Sequence, residues 1–261
     1  MSAASVEPAY PRVAFQGEPG AFGDAMIAER WRGSAEAVPA RTFEDALALI
    51  CAGRVDYAVI PVWNSTIGDL PAQRRALASH AARTRIVEEH VIPVQHCLAA
   101  LPSASLESIR VVGSHPAALA QCRRFFRARR KLVPRDAYDT AGAARELARV
   151  VLVSRWTGEG DGSRTEFGRA ADTGEADGSR PIGLHRAVPD ERDGARRQWY
   201  HCSADTDEPR RPWFEGAAVG AHELAVIASS AAARRYGLVV LAESIQDDPG
   251  NATRFVVVRT R

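Results

Sequence analysis

Lysine is almost missing from this sequence: Lys131 is the only one among 34 basic residues. The arginine excess reads as a coding preference before it reads as a phosphate-recognition surface, because composition indicates a class and not a site. The basic residues face 32 acidic ones, for a formal net charge of +2, and both signs are spread along the chain. No field of one sign is present to draw in nucleic acid or anionic lipid, so neither is expected as a partner. No apolar stretch approaches the ~20 residues that cross a bilayer. Met1–Pro11 has neither the basic nor the apolar region of an export signal. A cytoplasmic location follows as the expectation, with Cys51, Cys97, Cys122 and Cys202 kept as thiols and none forming a CxxC pair. His185, His201, Cys202 and His222 match no common zinc spacing, and no metal or other cofactor is expected. In that compartment the triplets Asn64-Ser-Thr66 and Asn251-Ala-Thr253 are not glycosylation acceptors and need another reason to exist.

The chain does hold enough apolar residues for a sizeable core: 46% of 261 residues are hydrophobic and 25% charged. That length allows one large domain or two small ones. Arg12–Phe15 reads as a strand running into Gly17, Pro19 and Gly20, with a helix over Ala21–Trp31. Thr42 caps a helix over Phe43–Cys51, and Tyr57–Val62 reads as a buried strand ending in a polar turn. Further strands are expected at Ile86–Val94, Cys97–Ala100, Ser108–Gly113, Leu224–Ala228, Leu238–Leu241 and Phe255–Val258. Helices are expected over Pro71–Arg83, Pro116–Arg129, Ala141–Val151 and Ser229–Tyr236. This alternation argues for an α/β fold with parallel or mixed sheets, in which ligands bind where strand ends meet helix starts.

The stretch from Arg155 to Gly220 differs from its surroundings, with repeated Asp-Gly and Arg pairs and few aliphatic residues. Most of it reads as an inserted solvated segment. Its aromatic cluster, Trp199, Tyr200, Trp213 and Phe214, gives the alternative that the second half packs on the body as a lid or oligomer contact.

Three polar clusters stand at strand ends: Asn64-Ser65-Thr66, Ser114-His115-Pro116 with Gln121, and Asn251-Ala252-Thr253-Arg254. They offer hydroxyls, amides and one arginine, without a carboxylate pair or a metal set. Such groups, with free N–H groups at helix starts, suit carboxylates. A lone Ser or Thr at such a place is more simply a helix cap. Thr253 escapes that reading because it enters a strand, and Arg254 interrupts an otherwise apolar ending.

Taken in order, Gln16–Phe22, Val59–Gly68, Ser114–Cys122, Asp139–Ala144, Ile227-Ala-Ser, Tyr236–Leu238, Ile245–Asp248 and Asn251–Phe255 resemble the prephenate dehydratases and their relatives, the plant-type arogenate dehydratases. The resemblance covers residues 12–152 and 222–259. It implies two α/β subdomains, similar to type II periplasmic binding proteins, with the site in the cleft between them. Residues 11–91 plus 238–261 would form the first subdomain and 92–237 the second.

The implied reaction converts prephenate to phenylpyruvate with loss of water and carbon dioxide. Thr253 would donate the proton to the departing hydroxyl. Asn64, Ser65, Thr66, Ser114 and Gln121 would hold substrate oxygens, and Arg254 would clamp a carboxylate or support the turn. Phe255, His115, Gly17 and Gly20 would shape the site, His115 as part of the Ser-His-Pro turn and not as a general base. The sequence departs from the family at Trp63, where most members carry Glu, and at Gly23, where a helix-capping Ser is usual. The chain also ends six residues after Phe255, where free-standing bacterial members continue into a phenylalanine-binding ACT domain, so feedback inhibition by that route is not expected. The rival readings are an arogenate dehydratase, a lyase that decarboxylates prephenate without aromatisation, a phenylalanine-sensing regulator, and a non-catalytic small-anion binding protein. Homo-oligomerisation stays open.

Overall fold

The computed structural model describes residues 10–156, 212–217 and 219–261. In chain order the first lobe contributes β1 (Arg12–Gln16), α1 (Phe22–Trp31), β2 (Glu36–Ala40), α2 (Phe43–Cys51), β3 (Tyr57–Asn64), the short β4 (Gly68–Asp69), α3 (Pro71–His80) and β5 (Thr84–Pro93). The second contributes β6 (Cys97–Ala100), β7 (Val111–Ser114), α4 (Pro116–Ala120), α5 (Arg123–Ala128), β8 (Val133–Asp136), α6 (Thr140–Trp156), β9 (Leu224–Ala228), α7 (Ser230–Arg235) and β10 (Val239–Ala242). The chain then returns to the first lobe as β11 (Ala252–Thr260).

Both sheets are mixed. The first has the order β2-β1-β3-β11-β5, with β4 beside β3, and β11 runs antiparallel to both of its neighbours. The second has the order β10-β6-β9-β7-β8. The chain therefore crosses between lobes twice, at residues 94–96 and 243–251. The two crossings lie side by side, joined by Val94 N–H to Asn251 O at 2.7 Å and Ile245 N–H to His96 O at 3.0 Å. β10 pairs with β6 in the second sheet, so the division expected at residue 238 lies instead at the 243–251 crossing.

Local sequence accounts for most element starts. Thr42 and Asp45 form a reciprocal capping box on α2, and the Ser229 hydroxyl caps α7 through Ala232 N–H. Pro71 and Pro116 occupy first helical turns, where their missing N–H costs nothing. The continuous helix expected over 116–129 is interrupted at Gln121–Cys122. There the Asp247 carboxylate accepts from Arg123 and Arg124 N–H, at 3.1 and 2.7 Å, and so starts α5 as a cap supplied from the second crossing. Strands β2 and β8 were not expected. β8 is exposed along its whole length, and β2 carries Pro39 and has no fully buried residue, so neither shows a core-facing alternation.

One core cluster spans both lobes and includes Phe15, Met26 and Phe255 from the first with Leu147, Trp213 and Val226 from the second. The turn after β1 fixes the lobes together. Gly20 has φ +93°, and a Cβ there would stand 2.8 Å from Ala232 Cα, so only glycine fits against α7. Its carbonyl accepts from the Ser229 hydroxyl, and Pro19 O from the Tyr236 hydroxyl, both at 2.8 Å. The neighbouring Glu18 takes Arg145 at 2.6 Å and the Tyr138 hydroxyl at 3.1 Å.

The insertion expected over 155–220 falls mostly on residues 157–211, which lie outside the described residues together with Trp199, Tyr200, His185, His201 and Cys202. Its end belongs to the core. Trp213 and Phe214 are 7% and 5% exposed, and their rings meet edge to face at 5.1 Å. The Trp213 indole N–H donates to Ala143 O at 3.3 Å, and the ring covers Gly113, where any side chain would overlap it. Trp213→Ala should therefore lower stability by about 3–5 kcal/mol, read from the urea midpoint. A loss below about 0.5 kcal/mol would show this segment to be a surface decoration.

Candidate active site

The site follows from how β11 pairs with β3. Thr253 faces Asn64 and Arg254 faces Trp63, but Phe255 faces Pro61, so Val62 is an extra residue and the ladder bulges there. A bulge re-aims side chains. Here it turns Asn64 to the same side as Pro61 and Val59, toward the space between the lobes, together with Thr253 and Phe255. That space is a cleft of about 510 Å³, within the size range of small-molecule sites.

Asn64 is the centre of the polar floor and is 4% exposed. Its carbonyl oxygen accepts from Thr66 N–H at 3.0 Å, Ile67 N–H at 3.2 Å and the Thr66 hydroxyl at 2.7 Å, the pattern of an Asx turn. Those donors fix the amide orientation, so its NH₂ faces Thr253 Oγ1 at 2.9 Å, Asn251 Oδ1 at 2.9 Å and Ala252 O at 3.0 Å. Thr253 is 8% exposed. It accepts from Asn64, and its own O–H is left as a donor toward the cleft.

Gln121, at the end of α4, joins the second lobe to this floor. Its NH₂ donates to Thr66 Oγ1 at 2.6 Å, and its carbonyl accepts from Asn251 Nδ2 at 3.1 Å and His96 Nε2 at 2.8 Å. All three polar clusters thus meet, although not all of their members reach the cleft. The Ser114 hydroxyl is fully buried and donates to Ile227 O at 2.6 Å, pinning β7 to β9. Ser65 receives Ala252 N–H at 2.9 Å and ties its turn to the start of β11. Neither is among the residues that line the cleft, and each is held in the protein's own hydrogen bonds.

Strand alternation sends Arg254 to the opposite face of the sheet, in a shallow groove with Val62, Leu77, Glu89 and Val256. There its guanidinium stands 5.7 Å from the Trp63 ring and 3.8 Å from Glu89. Of the two expected roles, clamp or support of the turn, this placement favours support. Trp63 leaves the cleft with Arg254, so the exchange of Glu for an indole touches the back of the sheet and not the cleft. Gly23 is not at a cap: Ala21 holds that position without a capping side chain, and Gly23 sits buried inside α1 against Phe15. His115 lines the cleft and caps α4, its Nδ1 accepting from Ala117 N–H at 3.2 Å.

Sequence reading missed several cleft residues: Gln16, Arg41, Gln73, His96, Asp139 and Thr140. The starts of α1, α2 and α6 all open on this space. With no side chain capping α1, its first N–H groups are available to an anion. Burial pushes the Asp139 carboxyl above its usual range, against the opposing hydrogen bond from Gly142 N–H. Burial pulls His96 down, opposed by its bond to Gln121, so this imidazole is neutral at pH 7. The signal for His96 was a polar residue between two apolar strands in Val94-Gln-His-Cys97. Among the described residues no group of His, Cys, Asp and Glu is placed to hold a metal ion, and no helix is long and apolar enough to cross a membrane.

Comparison with known proteins gives this cleft a family. Arogenate dehydratase 1 of Petunia hybrida is 31% identical over 99% of this chain and 44% of the relative. Arogenate dehydratase 5 of Arabidopsis thaliana is 31% identical over 95% of this chain and 41% of the relative. The chain thus spans less than half the length of these curated relatives. Among solved structures, the prephenate dehydratase of Arthrobacter aurescens in complex with L-Phe superposes with a TM-score of 0.63 over 96% of this chain and 60% of that one, at 22% identity, a likeness of fold. GqqA, described as a novel type of quorum quenching acylase, gives 0.60 over 96% and 64%, at 26% identity. The family model for prephenate dehydratase matches residues 13–154 and 215–261, which take in both lobes, both crossings and the Asn64–Thr253 floor, and by that match the chain belongs to the prephenate dehydratase family.

Proposed function

We propose that this chain converts prephenate to phenylpyruvate. The observation that carries the reading is the Thr253 hydroxyl, held at the cleft by an amide N–H of Asn64 at 2.9 Å. The ring carboxylate leaves as carbon dioxide, and its bonding pair enters the ring. The ring hydroxyl departs with its own bonding pair, takes a proton from Thr253 and leaves as water. One proton is consumed overall and is restored to Thr253 from solvent. Aromatisation drives the reaction, so the protein has to hold the dianion and protonate the departing hydroxide.

A threonine is a poor acid in water. In this cleft the Asn64 N–H already points at the oxygen on which charge develops, so stabilising it needs no reorganisation. The uncapped start of α1 and Arg41, which line the same cleft, suit the two substrate carboxylates. Burial holds the thiols protonated, Cys97 up to about 11 and Cys122 up to about 12, which removes both as nucleophiles.

Arogenate is the second reading. It differs from prephenate by an ammonium in place of the side-chain keto group, and the cleft places two carboxylates, Glu44 and Asp139, among its lining residues. The names of the plant relatives point the same way.

Incubation of the purified protein with each compound, following phenylpyruvate and phenylalanine, tests both readings. Turnover of neither would end the enzyme reading. Ser114→Ala should leave KM within about 2-fold while lowering stability by about 1 kcal/mol, the worth of one hydrogen bond. Arg254→Gln should also leave KM within about 3-fold, since a residue that does not touch substrate contributes no uniform binding. A KM raised tenfold in either variant would return that side chain to the substrate.

A further inference from the structure

We propose that His96 is a positioning residue of the site: its Nε2–H sets the orientation of the Gln121 amide, and through it the polar chain that ends at Thr253. The proposal rests on the dehydratase reading for its kinetic arm and on geometry alone for the other.

His96 lies in the first crossing, 2% exposed, with the Phe22 ring edge-on at 5.7 Å. Its backbone N–H donates to Gln246 Oε1 at 3.0 Å and its carbonyl accepts from Ile245 N–H at 3.0 Å, so both crossings hold it in place. Of the two ring nitrogens, Nε2 meets Gln121 Oε1 at 2.8 Å, whereas Nδ1 is buried without a partner among the described residues. Only one protonation state satisfies both facts. Nε2 carries the proton and donates, and Nδ1 is bare, because a buried N–H without an acceptor costs about 1–3 kcal/mol.

The consequence falls on Gln121. An amide carbonyl and NH₂ are alike in shape, so their placement is decided by their partners. Two donors, His96 Nε2 and Asn251 Nδ2, converge on one end of Gln121, which makes that end the carbonyl. The NH₂ is thereby aimed at Thr66 Oγ1 at 2.6 Å and, at 3.4 Å, Asn64 Oδ1. The Thr66 hydroxyl donates to Asn64 Oδ1, and the Asn64 amide N–H donates to Thr253 Oγ1. Every link then runs in one direction, the arrangement in which hydrogen bonds polarise one another. Without the His96 donor, one of the two restraints on the Gln121 orientation is lost.

Protonation breaks the arrangement differently, since it adds a proton at Nδ1, where no acceptor waits. The ionisable groups on the elements around His96 are Asp24, Glu29 and Arg30 on α1, Glu243, Asp247 and Asp248 on the second crossing, and Arg123, Arg124 and Arg127 on α5, with His115 and Asp139 lining the same cleft. None of them bonds to the imidazole, and burial and the Gln121 bond alone displace its pKa. Because the shift is downward, the network is intact above the ordinary value of 6.5 and is lost as pH falls below it through the lowered value.

The experiment compares His96→Gln, His96→Asn and His96→Phe in the full chain, with folding checked by thermal melting. The Gln amide reaches the place of Nε2 and restores the donor; Asn and Phe do not. Expected are a kcat about 10-fold or more below wild type for Asn and Phe, with KM changed less than about 3-fold, and most of that loss recovered by Gln. The acidic limb of the kcat profile should flatten in His96→Gln. Equal losses in all three variants, or an acidic limb unchanged in His96→Gln, would overturn the proposal. Nitrogen-15 NMR of the wild-type imidazole separates this failure from failure of the dehydratase reading. It should show Nε2 protonated and Nδ1 bare at neutral pH even if neither substrate turns over, and the opposite tautomer would refute the assignment.

Discussion

β11 enters the first sheet between β3 and β5 only after the chain has built the whole second lobe, and there it pairs antiparallel with β3 across a one-residue bulge. Almost everything at the site depends on that pairing. Because the side-chain period of a strand is two, a shift of one residue would exchange Thr253 with Arg254 and put a guanidinium where the hydroxyl now stands. Direct pairing puts Asn64 and Thr253 on one face and Trp63 and Arg254 on the other, and the bulge at Val62 brings Pro61 and Phe255 onto the cleft face with the first pair. The paired crossings extend the same constraint: residues 94–96 and 243–251 carry His96, Asp247 and Asn251, which hold Gln121 and the break between α4 and α5.

Regular elements were largely legible in the sequence because their signals are local. The Thr42 capping box, the prolines opening α3 and α4, and the apolar runs of β6 and β9 each act within a few residues. What escaped is what distant residues decide. The break at Gln121 depends on Asp247, more than a hundred residues away, and β8 is a strand only because β7 offers it an edge. The Trp213 contact with Gly113 is likewise made across the fold.

The site was legible as a set of residue types and much less so as a set of roles. Asn64, Ser65, Thr66, Ser114 and Gln121 were grouped as substrate contacts. The structure places all five in hydrogen bonds with the protein itself, and only Asn64 and Gln121 also line the cleft. Their shared chemistry hid the difference between touching a ligand and holding the residue that does. Both Asn-x-Thr triplets find their reason here, as the two sides of one floor in which Asn64 and Asn251 meet at 2.9 Å. His96 had only a weak signal, a polar residue between two apolar strands, and its role shows once both crossings lie side by side.

The central claim is that the Thr253 hydroxyl supplies the proton and that Asn64 makes it able to do so. Thr253→Val keeps the shape of the side chain and removes only the hydroxyl, and Thr253→Ser keeps the hydroxyl. The most direct measurement is kcat and KM for these two variants on whichever substrate the wild type turns over. The account requires Val to lose about 100-fold or more in kcat, the scale of a positioned acid, with KM changed by only a few-fold and Ser retaining most of the rate. A Thr253→Val enzyme with turnover near wild type would contradict it.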